Sequence, residues 1–83
     1  MASVKLSDGA LQDLENIDPI IAKRIIAKLM WLEANFANIV LEPLHYKLKG
    51  LYKVRVGDYR IEYSVQGNII LIETVGHRRD IYR

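Results

Sequence analysis

Five cations, Lys47, Lys49, Lys53, Arg55 and Arg60, crowd the stretch from residue 47 to residue 60 against one acid, Asp58. The last six residues, 78–83, add three more, Arg78, Arg79 and Arg83, against Asp80. Guanidinium and ammonium groups at this density suit the binding of phosphate oxygens, where charge-assisted hydrogen bonds are strong. Tyr82 supplies a ring that can stack on an unpaired base. His77 offers an imidazole suited to proton transfer near neutral pH. The chemistry implied is the holding of a polyanion, with groups at hand that can move a proton. A frayed basic C-terminus is the plainer reading of the tail.

Strand alternation decides which of these groups can meet. With Gly57-Asp58 as the centre of a tight hairpin turn, Val56 faces Tyr59, Arg55 faces Arg60, Val54 faces Ile61 and Lys53 faces Glu62. Val54, Val56, Tyr59, Ile61 and Tyr63 then line one side, which should cover helices. Lys53, Arg55, Arg60 and Glu62 line the other. Like charges directly opposite cost roughly 0.2–1 kcal/mol. A face that binds a polyanion relieves that repulsion. A solvated face with Glu62 and Glu73 as partial counter-ions is the alternative. The tail leaves the third meander strand beside Arg60, so Arg78 or Arg79 can return to the same groove.

The elements that must position these residues follow from local signals. Val4-Lys5-Leu6 suits a short strand. Ser7 suits an N-cap for a helix over Asp8 to Asn16. Asp18-Pro19 restarts a helix, with Asp as cap and Pro at its first position. Ile21, Ile25, Leu29, Leu32 and Phe36 give that helix one apolar stripe over about 18 residues. Glu42-Pro43 excludes its continuation. Gly50 ends the loop that follows. Strands are expected over Tyr52–Val56, Tyr59–Val65 and Ile69–Val75, with a turn near Gln66-Gly67-Asn68 and Gly76 closing the last. The order is β-α-α-β-β-β. This is an α/β (α+β) fold in which a short N-terminal strand and an antiparallel helix pair pack on an antiparallel meander.

The 83 residues suit one domain, 1–83, with no repeat or linker. Net charge is +2, and the excess lies in the second half. There is no cysteine, and there are two histidines, His45 and His77, so disulfides and a structural zinc site are not expected. No metal or cofactor is expected. Neither a membrane span nor a signal peptide is expected, and a reducing cytoplasm is the simplest home.

The stretch Leu48-Lys49-Gly50-Leu51-Tyr52-Lys53-Val54-Arg55-Val56-Gly57-Asp58-Tyr59-Arg60-Ile61-Glu62-Tyr63 resembles the RelE/ParE toxins of bacterial toxin–antitoxin pairs. So does the closing Val75-Gly76-His77-Arg78-Arg79-Asp80-Ile81-Tyr82. The resemblance spans nearly the whole chain. It implies a RelE-like type II toxin, a metal-independent endoribonuclease that cleaves mRNA in the ribosomal A site and so inhibits translation. The family's catalytic positions match Lys53, Arg55, Arg60, Arg78 and Tyr82. A YoeB-like branch implies Glu42 as general base, and His77 is a further candidate. Lys47, Lys49, Arg79 and Arg83 are expected to hold RNA. Attack by the 2′-OH would give a 2′,3′-cyclic phosphate, with Lys53 or Glu42 as base. The implied partners are a RelB-like antitoxin, the ribosome and mRNA, with operator DNA reached through the antitoxin. A ParE-like inhibitor of DNA gyrase shares the fold but usually lacks the full basic set. A non-catalytic basic RNA-binding domain is a further alternative.

Overall fold

The computed structural model describes residues 2–43 and 50–77. Its elements are β1 (Ser3–Leu6), α1 (Asp8–Glu15), α2 (Pro19–Asn35), a 3-10 turn (Phe36–Asn38), β2 (Leu51–Val56), β3 (Tyr59–Gln66) and β4 (Ile69–His77). The expected order β-α-α-β-β-β holds. Four strands form one sheet in the order β1-β4-β3-β2, with β1 parallel to β4 and the other neighbours antiparallel.

Both helix starts follow their capping residues. Ser7 Oγ accepts from the Ala10 amide at 3.0 Å, and Asp18 Oδ1 accepts from the Ile20 amide at 2.8 Å. Both hairpins turn on a glycine with positive φ, Gly57 at +57° and Gly67 at +58°. The residue after each has negative φ, as in a type II′ turn, so β2–β3 and β3–β4 close through two residues.

Ile25, Leu29 and Leu32 of α2 bury against Ile61, Tyr63, Ile70, Ile72 and Val75 of the sheet. Tyr52, Val54, Val56 and Tyr59 pack around them, so the apolar side of the hairpin is the side expected. Ile70 and Ile72 alternate, but the next core residue on β4 is Val75. The pairing shifts between Glu62 and Tyr63, which face Thr74 and Ile72, so Glu73 is the extra residue of a β-bulge. The region is tied to α1: Ser7 Oγ donates to the Glu73 carbonyl at 3.1 Å, and the Val75 amide donates to Asp13 Oδ2 at 3.0 Å.

One expected boundary is corrected. β4 does not close at Gly76 but runs on to His77, because Gly76 pairs with Arg60 and His77 with Tyr59. His77 is therefore a strand residue, not part of the tail.

Candidate phosphate-binding face

The pairing of β2 with β3 places Arg55 opposite Arg60 and Lys53 opposite Glu62, the register expected from the turn. These four residues lie on the side of the sheet away from the core. Along the row Glu42, Lys53, Glu62 the signs alternate, while Arg55 and Arg60 form a like-charged row beside it. Lys53 Nζ lies 3.6 Å from Glu42 Oε1, and Arg60 Nη2 lies 3.0 Å from Glu62 Oε2. Arg55, nearest the turn, is exposed.

Glu42 reaches this face because Glu42 and Pro43 lie antiparallel along the outer edge of β2. The Lys53 amide donates to the Glu42 carbonyl at 2.9 Å, and Pro43 bridges to Tyr52. Proline suits an edge, where its missing N–H costs no ladder bond. The two candidate bases, Lys53 and Glu42, are thus neighbours. The Glu42 side chain is open to solvent, while that of Lys53 is largely covered.

Arg60 departs from expectation. It is 5% exposed, so it is not a guanidinium displayed on an open side. It is flanked by Arg55 on β2 and Gly76 on β4, and Glu62 on its own strand holds its charge. Burial of a cation requires such a partner, since desolvation alone is prohibitive. Arg60 and Arg55 share one face, but Arg55 is the one that a ligand can reach there.

His77 stands on the other side. Directly opposite Tyr59, it shares that residue's face, and the two rings meet edge to face with centroids 5.3 Å apart. It is separated by the sheet from Lys53 and Arg55. Tyr52 and Tyr63 also pair on the core side, with centroids 5.7 Å apart. Burial pushes the Tyr63 phenol above its usual pKa of 10.0, and Tyr52 and Glu42 add to the rise. Arg78 and Tyr82 lie outside the described residues, as do Lys47, Lys49, Arg79 and Arg83. Among the described residues no cluster of His, Cys, Asp and Glu could hold a metal ion, and no helix is long and apolar enough to cross a membrane.

A strand, two helices and a meander whose outer face carries ordered cations define a class of protein, and comparison with known families agrees. Residues 4–82 match the family described as ParE toxin of type II toxin–antitoxin system, parDE, and the chain belongs to this family. Within it the chain is a RelE-like type II toxin. It is 38% identical to Toxin RelE3 of Methanocaldococcus jannaschii over 87% of this chain and 85% of that protein. It is 32% identical to Toxin RelG of Mycobacterium tuberculosis over 98% of this chain and 95% of that protein. Among solved structures, the toxin–antitoxin complex RelBE2 of Mycobacterium tuberculosis superposes with a TM-score of 0.80 at 26% identity, covering 93% of this chain and 98% of the other.

Proposed function

We propose that this toxin is a metal-independent endoribonuclease that cuts mRNA on the ribosome and works in the cytoplasm. The observation that carries the reading is the outer face of the hairpin, where a carboxylate and an ammonium 3.6 Å apart stand beside an exposed guanidinium. RNA brings its own nucleophile, so the protein must align it, take its proton and hold the charge of the phosphorane. Glu42, open to solvent, accepts the proton of the 2′-OH. The freed oxygen bonds to phosphorus, and the bond from phosphorus to the 5′-oxygen breaks. That oxygen leaves with a proton from Tyr82, giving a 2′,3′-cyclic phosphate and a 5′-OH. A guanidinium is a poor base but a good charge clamp. Arg55 and Arg78 therefore hold the phosphate, and Lys53 steadies Glu42. Arg60 acts as a positioning residue through Glu62. Lys47, Lys49, Arg79 and Arg83 guide the strand. His77, on the other face, takes no part in this scheme.

An antitoxin partner, RelB-like in kind, completes the proposed system and would carry the complex to operator DNA. A groove of about 460 Å³ between β1, α1 and α2 supports this. Leu11, Ile26 and Met30 line it at 45%, 45% and 68% exposure, a good deal of apolar surface to leave in water.

Membership of the ParE toxin family favours a second reading, inhibition of DNA gyrase with no nuclease activity. Induction of the protein in cells separates the two. Cut transcripts and arrested translation with intact DNA support the nuclease. DNA damage with intact transcripts overturns it.

A further inference from the structure

The cations of the hairpin and tail lie after residue 47, yet the long helix carries its own. α2 contains Lys23, Arg24 and Lys28 against a single acid, Glu33. Arg24, Lys28 and Trp31 fall at steps of four and three, so they form one stripe. The stripe flanks the buried Ile25, Leu29 and Leu32, each of its residues standing one position, about 100°, before one of them. Lys28 Nζ sits 4.0 Å from the centre of the Trp31 ring, yet Trp31 keeps 44% of its surface exposed.

The stripe does not stand alone. Arg24, Ala27, Lys28 and Trp31 line one shallow concavity of about 440 Å³ together with Arg55 and Gly57 of the hairpin. Val56 completes the lining. Among the described residues, no carboxylate forms an ion pair with Arg24 or Lys28. Asp58, next to Gly57 in the turn, is the acid nearest in sequence to the hairpin wall. Arg55 belongs to the outer face of the sheet as well, so the concavity continues that face round the turn and onto α2.

The geometry points to a second RNA-binding surface on α2, in which Arg24 and Lys28 bind the phosphates of a single strand and Trp31 stacks on one of its bases. Three cations around an exposed indole give the combination of backbone clamp and stacking platform that holds unpaired RNA. An unpaired strand of RNA repeats a phosphate and a planar base at each step, so it engages the cations and the indole together. The surface goes beyond the nuclease reading, because it would bind RNA whether or not the strand is cut.

The chain has one Trp, so its emission reports on this surface directly. The purified full chain is titrated with a 2′-O-methyl oligoadenylate hexamer, which has no nucleophilic 2′-OH. We expect saturable quenching of Trp31. Arg24→Ala/Lys28→Ala should weaken binding about tenfold and flatten its dependence on log salt by about 1.4, near 0.7 for each phosphate no longer neutralised. Arg24→Glu alone should weaken it further than Arg24→Ala. Circular dichroism of each variant verifies folding. An absence of quenching at low salt overturns the inference, as does quenching that the double variant leaves unchanged. Tighter binding of a polyglutamate peptide than of the hexamer would instead make the surface an acidic-protein contact and also overturn it. Loss of mRNA cutting in cells with the quenching intact would count against the nuclease alone.

Discussion

Arg60 Nη2 lies 3.0 Å from Glu62 Oε2, two residues along the same strand and on the same face, while the residue across the ladder is another arginine, Arg55. The carboxylate answers the repulsion that the two guanidiniums would otherwise exert across the hairpin. It also divides their roles. Arg60 is buried as half of an ion pair, and Arg55 is left at the surface.

That division predicts how Arg60 variants behave. Arg60→Ala would leave Glu62 largely covered with its cationic neighbour gone, at a cost of about 3 kcal/mol. Replacement of both, Arg60→Met/Glu62→Leu, should recover stability to within about 1 kcal/mol of the parent, since an apolar pair of similar volume carries no stranded charge. Urea midpoints check this. A double variant no more stable than Arg60→Ala would contradict the assignment. The double variant is also the informative one for activity, because its loss of cutting could not be blamed on unfolding.

Much of this site is legible in the residues alone, and the reasons are local. Gly57-Asp58 sets the hairpin register through a two-residue turn, so the pairs 55–60 and 53–62 follow directly. Ser7 and Asp18 announce their helices by capping chemistry. What is not legible depends on distant parts of the chain. The parallel seat of β1 on β4 joins Ser3 to Ile69, and no short-range signal specifies it. The bulge at Glu73 sits where α1 supplies an acceptor from Asp13 to the Val75 amide. The return of Glu42 along β2 looks like an ordinary Glu-Pro loop until the strand is in place. The basic stripe on α2 escapes a reading by apolar spacing, which ignores the flank of the helix beside its buried side. The burial of Arg60 reflects packing around the strand, to which alternation is blind.

Tyr63 gives the fold an alkaline limit. Its folded-state pKa is raised, chiefly by burial, while the unfolded phenol titrates near 10. Above that pH the unfolded chain gives up a proton that the folded chain retains. The folded state then binds more protons, and stability falls as pH rises. Its contribution is fully present below about pH 10 and is lost on passing upward through the raised value. Denaturation midpoints measured from about pH 8 to about pH 12 should decline above about 10, and Tyr63→Phe should flatten that decline. An unchanged slope in the variant would count against the assignment.

Glu33 guards a sheet edge. β1 is an outer strand, and its Val4 amide donates outward to Glu33 Oε2 at 2.7 Å. A charged acceptor here satisfies the edge and discourages pairing with another chain. Glu33→Ala should lower stability by about 1 kcal/mol and promote association as concentration rises. Glu33→Gln keeps an acceptor oxygen and should stay nearer the parent in both. Light scattering against concentration decides this, and equal behaviour of Ala and Gln would remove the guard.

The exposed Arg55, clamping a phosphate that the RNA's own 2′-OH attacks, is the centre of the proposed chemistry. Single-turnover cutting of mRNA on programmed ribosomes tests it, comparing the parent with Arg55→Ala on normal message and on message carrying a 2′-O-methyl group at the cut position. The expected result is a loss of at least about 100-fold for Arg55→Ala, on the scale of removing one charge-stabilising group, and no cutting of the methylated message. Equal cutting by both proteins, or cutting of the methylated message, would contradict it.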